Sequence, residues 1–166
     1  MTLHFVSLRK EHKRKGFRCG EPALDKWFES QAGQDERRNI ARVFVAIDDL
    51  GIAGFYSLSM CTLSLDDLPL SLSRKLPNYS AIPAALIGRL ARHERVRGQG
   101  IGELLVADAI SRVLSAAKTV AAFAILVDAK NEQAASFYES FGFARFPNRG
   151  NRLFLLSETA RQAFNR

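Results

Sequence analysis

Gly98, Gly100 and Gly102 alternate with Gln99 and Ile101 directly after Arg97, and an apolar spacing typical of a helix begins at Ile101. Backbone N–H groups in such a turn stand at the positive end of a helix dipole, and without Cβ atoms an anion can approach closely. The chemistry this predicts is phosphate binding. Two common nucleotide loops are excluded by spacing. A Walker loop ends in Gly-Lys-Ser/Thr, where this chain has Gly102-Glu103-Leu104, and the dinucleotide pattern G-x-G-x-x-G meets Glu103 or Leu105 where its last glycine is required. A second group of interest lies downstream. Asn131 is a good helix N-cap, and Ala134, Phe137, Tyr138 and Phe141 follow at i, i+3, i+4 and i+7, predicting an inward face that Gly142 ends. Tyr138 has a proton to give, although periodicity alone reads it as a core aromatic.

Charge supplies a third signal. Lys and Arg total 24 against 17 Asp and Glu, a net +7, which favours an anionic partner. The basic residues cluster: Arg9, Lys10, Lys13, Arg14, Lys15 and Arg18; then Arg37, Arg38 and Arg42; then Arg89, Arg92, Arg95 and Arg97. Each cluster also fits a merely solvated face. Cys19 and Cys61 form no C-x-x-C, and His4, His12 and His93 are scattered, so neither a disulfide framework nor a metal site is expected. The apolar start followed by the run Arg9 to Lys15 is the wrong order for a secretory signal. No run approaches the roughly 20 apolar residues that cross a bilayer. The expectation is a cytoplasmic protein without membrane association.

The elements that must position these groups follow from the same pattern. A chain of 166 residues with 47% apolar and 25% charged residues suits one domain, residues 1–166, with a core of its own. Leu3 to Leu8 reads as an opening strand. A helix starts at Pro22 with Leu24, Trp27, Phe28 and Gln31-Ala32 inward. Ala41 to Ile47 and Ile52 to Leu65 read as a hairpin about Asp48-Asp49-Leu50-Gly51. Asp66 to Pro83 reads as a loop with a short helix near Leu70 to Leu76. Then come a strand over Ala84 to Ala91, the glycine turn, a helix from Ile101 to Ala116, a buried strand over Val120 to Val127, the Asn131-capped helix, and a closing pair over Phe143 to Phe146 and Arg152 to Leu156. Strand, helix and strand from Ala84 to Val127 should make a parallel unit within an α/β (α+β) mixed sheet, its glycine turn at the crossover where such sheets bind ligands.

R-x-x-G-x-G at Arg97 to Gly102, after a strand and before a helix, resembles the acetyl-coenzyme A pyrophosphate loop of the GNAT N-acetyltransferases. Asn131-x-x-Ala134-x-x-Phe137-Tyr138-x-x-x-Gly142-Phe143 resembles the usual ending of that fold. A narrower resemblance spans nearly the whole chain. Phe17-Arg18-Cys19-Gly20 with Leu24 to Trp27, Gly54 to Leu58, Ile82-Pro83, Gly88 to Ala91 and Arg152 to Leu155 are similar to the acetyltransferase toxins of type II toxin–antitoxin modules. In one place the chain departs from them: their strand usually runs Leu-Ala-Val-Asp, and here it is Leu90-Ala91-Arg92-His93.

The resemblance implies a GNAT fold, a central mixed and mostly antiparallel sheet flanked by helices, and acetyl transfer from acetyl-coenzyme A to the α-amine of aminoacyl-tRNA. It assigns the thioester carbonyl and pantetheine arm to backbone N–H groups of Leu90, Ala91 and Arg92. It assigns the pyrophosphate to Arg97, Gly98, Gln99, Gly100, Ile101 and Gly102, further cofactor contacts to Asn131 and Phe137, and sulfur protonation to Tyr138. Arg89, Arg92 and Arg95 become the expected tRNA contacts. No dedicated base stands out among Glu103, Glu132 and His93. A ribbon-helix-helix antitoxin encoded next to the chain is the implied partner, and a homodimer stays open. Two other classes remain open on sequence: a GNAT enzyme for a small amine or protein N-terminus, and a non-catalytic nucleic-acid-binding module.

Overall fold

A computed structural model describes residues 2–164 of the chain. The strands are β1 (His4–Ser7), β2 (Arg42–Asp48), β3 (Gly51–Leu63), β4 (Ile82–Arg92), β5 (Ala124–Asp128), β6 (Ala144–Arg145) and β7 (Arg152–Leu156). The helices are α1 (Pro22–Ser30), α2 (Ala32–Arg37), α3 (Leu70–Ser73), α4 (Ile101–Ala116), α5 (Glu132–Glu139) and α6 (Ser157–Phe164). The strand order is β1-β2-β3-β4-β5-β7-β6. Pairs β1–β2, β2–β3, β5–β7 and β6–β7 are antiparallel, and β4–β5 is parallel, as the crossover through α4 requires.

Contacts group the chain into two compact units, Met1–Ser59 with Gly88–Ala109, and Met60–Ile87 with Ile110–Arg166. The first unit is built on aromatics. Phe28 and Phe55 stack with centroids 4.1 Å apart, and Phe17 meets both edge-on. Phe28 and Phe55 are fully buried, each contributing about 1.5–3 kcal/mol by area removed from water. The second unit packs Leu63, Ile82, Leu126, Phe146 and Phe154.

Several boundaries differ from the sequence expectation. The helix expected to continue through Gln31-Ala32 breaks there. Gln31, at φ −117°, closes α1 with its N–H on the Trp27 carbonyl, and α2 restarts at fully buried Ala32. The strand expected from Val120 begins only at Ala124, because the N–H groups of Lys118, Thr119 and Val120 still close the end of α4 on the carbonyls of Ser115 and Ala116. Pro83, expected in the loop, lies within β4, where its exposed position needs no N–H and its carbonyl accepts from Phe123. On α5 the buried positions are Ala135 and Tyr138, while Ala134, Phe137 and Phe141 are half-buried. Helix α6 was not foreseen; it spans only eight residues, too few for a clear period.

Candidate functional site

The glycine turn occupies the first unit and owes its shape to the end of β4. Gly54 on β3 allows that end to be held close, since a Cβ there would lie 2.9 Å from the Ala91 carbonyl oxygen and 2.8 Å from Leu105 Cδ1. Leu90, Ala91 and Arg92 complete the strand, and the chain then leaves the sheet, with the His93 N–H donating to the Ala53 carbonyl at 2.7 Å and that of Glu94 to Arg18 at 2.8 Å. A 3₁₀ turn over Glu94–Val96 follows, in which His93 Nδ1 accepts from the Arg95 N–H at 3.1 Å.

Gly98 and Gly100 have φ of +79° and +77°, a conformation that favours glycine. Helix α4 begins at the next residue, Ile101, and its first N–H groups have no intrahelical partners. The Leu104 N–H is the one that reaches back to the Gly100 carbonyl, at 3.2 Å. Arg97 to Gly100 are exposed. An exposed, amide-lined turn at the head of a 16-residue helix, with Arg97 beside it, fits a pyrophosphate. Gly102 lies inside α4 without a positive φ, so its backbone conformation does not demand glycine.

The second unit carries Asn131, Phe137 and Tyr138. Asn131 caps α5, its Oδ1 accepting from the Ala134 N–H at 2.8 Å, which leaves its side-chain NH₂ as a donor. Phe137 sits edge-on to Tyr138 with centroids 5.4 Å apart, and Phe143 flanks the same phenol ring at 5.6 Å. Burial among these rings pushes the Tyr138 hydroxyl up to about 12, so it is a neutral phenol and a proton donor at physiological pH.

The arginines divide into different kinds. Arg89 is exposed, its N–H donating to Ser57 Oγ at 3.0 Å and its guanidinium carbon lying 4.2 Å from the Trp27 ring centroid. Arg92 is half-buried at the end of β4. Arg95, expected on the tRNA-binding surface, is held in an ion pair and stays partly exposed. Its Nη1 donates to Asp48 Oδ2 at 2.7 Å and its Nη2 to Asp48 Oδ1 at 2.8 Å and the Ile52 carbonyl at 3.2 Å.

Two of the candidate bases, Glu132 and His93, are similarly occupied. Glu132 receives both Arg145 Nη atoms at 2.8 Å, which holds its carboxyl below the usual range. His93 is pushed below its ordinary value by burial first and by the Arg95 charge second, and its Nδ1 is already an acceptor. Among the described residues no cluster of His, Cys, Asp or Glu could hold a metal ion, and no helix is long and apolar enough to cross a membrane.

The family described as the acetyltransferase (GNAT) domain matches residues 39–145. The chain belongs to this family. As a GNAT acetyltransferase it is 34% identical over 145 residues to a tRNA-acetylating toxin of Mycobacterium tuberculosis, covering 87% of this chain and 86% of the relative. Among solved structures it is similar to AtaT complexed with acetyl-methionyl-tRNAfMet, with a TM-score of 0.91 and 30% identity over 98% of this chain and 99% of that one. It is also similar to a tyrosine-to-phenylalanine mutant of the AtaT toxin bound to acetyl-CoA and the C-terminus of the antitoxin AtaR, with a TM-score of 0.83, 26% identity and 99% of both chains covered.

Sequence reasoning missed three residues that shape this candidate site. Gly54 admits the end of β4, Ser57 accepts from the Arg89 backbone, and Trp27 underlies the Arg89 side chain. Their only trace in sequence is Gly54 to Leu58 and Leu24 to Trp27 as short matches to the GNAT toxins.

Proposed function

We propose that the protein is a toxin that transfers the acetyl group of acetyl-CoA to the α-amine of aminoacyl-tRNA, blocks translation, and is neutralised by an antitoxin encoded beside it. The observation that carries the reading is the glycine turn, where two left-handed glycines feed the free amides of α4. A relative named tRNA-acetylating toxin, and AtaT with an acetylated aminoacyl-tRNA, support the choice of acceptor. AtaT with AtaR supports the antitoxin, here with a ribbon-helix-helix DNA-binding half. Residues 1–166 act as one catalytic domain in the cytoplasm, a homodimer being compatible with this.

Acetyl-CoA supplies an acetyl thioester, whose carbon forms a bond to the amine nitrogen as its bond to sulfur breaks. Arg97 and the amides of Gly98 to Gly102 bind the pyrophosphate. Amides at Leu90 to Arg92 donate to the thioester carbonyl as negative charge develops on its oxygen. The Asn131 NH₂ and the Phe137 ring hold the pantetheine arm. Tyr138 keeps a proton on its phenolic oxygen and gives it to the departing sulfur. The amine gives up its own proton to water. No strong base is needed, since an aminoacyl ester amine titrates at or below about 7.7–8.0, so a usable fraction is already neutral at cellular pH. Arg89 is exposed and held by Trp27, which suits it to contact the acceptor end of the RNA, and Arg92 and Arg95 are further contacts.

The test is incubation with radiolabelled acetyl-CoA and, in parallel, aminoacylated tRNA, deacylated tRNA and free amino acids. Label is expected in the first only. Equal labelling of free amines would move the protein to the small-amine class of GNAT enzymes.

A further inference from the structure

Gly33, the second residue of α2, stands where two cationic side chains converge. A Cβ there would lie 3.1 Å and 3.3 Å from the two terminal nitrogens of Arg14 and 3.3 Å from Arg37 Nη1. Arg14 is anchored, because its Nη1 donates to the Phe28 carbonyl at 3.0 Å, in the last turn of α1 where helix carbonyls lack intrahelical donors. The two carboxylates of α2 are committed elsewhere. Asp35 accepts from the Trp27 indole at 3.0 Å and from Gln31 at 3.2 Å, and Glu36 receives Arg42 and the Val43 N–H. Like charges brought together without an anion between them repel. The chain tolerates this beside exposed Lys13 and Lys15 instead of separating the two guanidiniums.

We propose that Arg14 and Arg37, converging over Gly33, clamp one backbone phosphate of the RNA substrate at a place separate from Arg89. The inference rests on the proposed tRNA substrate and deepens it. Two guanidiniums present several N–H donors to the oxygens of one phosphodiester, and the absent side chain at residue 33 lets both lie close against the α2 backbone, where a Cβ would crowd them. Helices α1 and α2 carry the clamp and the Arg89 support together. Trp27 holds Arg89, the neighbouring Phe28 holds Arg14, and α2 supplies Gly33 and Arg37. A phosphodiester is favoured over an acidic peptide because the flanking charges are arginines and lysines spread over an exposed surface.

The test measures binding of deacylated tRNA by fluorescence anisotropy across a salt series, which does not depend on acetyl transfer. Arg14→Gln and Arg37→Gln should each weaken binding several-fold and lower the slope of log affinity against log salt by about one phosphate contact, roughly 0.7–0.9. The double variant should lose no more slope than either single one, since both act on the same phosphate. Gly33→Ala should weaken RNA binding while its thermal midpoint stays level or rises, because alanine favours the helix and the crowded atoms are flexible side-chain ends. Affinity for acetyl-CoA should be unchanged throughout. An unchanged slope in the double variant overturns the clamp, as do additive slope losses, which would mean two independent contacts. Retained tRNA affinity with lost affinity for a poly-glutamate peptide would assign the notch to an acidic protein instead. If the slopes behave as expected but label enters no aminoacyl-tRNA, the clamp stands and the proposed reaction fails.

Discussion

Arg95 and Asp48 meet in a two-pronged ion pair that ties the segment after β4 to the end of β2, with N–O distances of 2.7 and 2.8 Å. The Asp48 side chain is 1% exposed and that of Arg95 26%. A carboxylate this deeply buried would be costly alone, so the guanidinium is its partner first and a surface charge second. By fixing Arg95 the pair also fixes the chain that leads into the glycine turn.

Breaking that pair should destabilise the fold. Arg95→Gln is expected to cost about 2–4 kcal/mol, somewhat less than a fully buried pair because Arg95 is partly solvated. The hydrogen bond from Arg95 holds the Asp48 carboxyl below the usual carboxylate range. Its contribution to stability is therefore complete above the unfolded value, near 3.9, and is lost as pH falls through the lower folded value. Urea melts between pH 2 and 6 should show this acid limb in the wild type and a weaker one in Asp48→Asn.

Tyr138→Phe separates the chemical role of the hydroxyl from the packing of the ring. The Phe137 and Phe143 edges still meet a ring of the same shape, so the melting temperature and acetyl-CoA affinity should hardly change. Turnover should fall by roughly 10²–10⁴, the usual contribution of a positioned acid. The phenol is pushed up to about 12 in the fold against an ordinary value near 10. Stability tied to it is thus present below pH 10 and lost as pH rises from about 10 toward 12, and Tyr138→Phe should flatten that alkaline limb. Near-normal turnover would return Tyr138 to the core.

Alanine at the three turn glycines should give two distinct signatures. At Gly98 and Gly100 the left-handed backbone should cost about 1–2 kcal/mol of stability as well as cofactor affinity. Gly102→Ala sits in α4, where alanine is a better helix former, so folding should hold or improve while calorimetric titration shows weaker acetyl-CoA binding. Wild-type affinity in Gly102→Ala would remove that position from the cofactor site.

What the sequence made legible was local. The glycine turn, the start of α4 at Ile101 and the Asn131 cap each depend on residues a few positions apart, so their types declare them. The contacts that set the arginines apart are distant in sequence. Arg95 reaches Asp48 across 47 positions, and nothing near Arg95 marks it as the partner of a buried carboxylate. Gly54 reads as an ordinary strand glycine until the Ala91 carbonyl and Leu105 are seen where its Cβ would be. The break at Gln31 was equally hidden, because Trp27, Phe28 and Ala32 keep a helical spacing across it.

Arg89 and Trp27 offer the sharpest separation of substrate binding from catalysis. A guanidinium 4.2 Å from an indole centroid is held over the ring, and the Trp27 N–H is in turn fixed on Asp35 at 3.0 Å. Such a contact contributes about 0.5–1 kcal/mol at an exposed site, enough to bias one rotamer of a long side chain. Arg89→Glu should raise KM for aminoacyl-tRNA at least tenfold and reduce the salt slope, while affinity for acetyl-CoA remains largely intact. Arg89→Lys keeps the charge but loses the planar stack, so a smaller rise in KM is expected with an unchanged salt slope. Trp27→Leu should act in the same direction as Arg89→Lys, and combining the two should add little, because each removes the same stacking contact. Equal KM in wild type and Arg89→Glu, measured with charged tRNA at several salt concentrations, would detach Arg89 from the acceptor site.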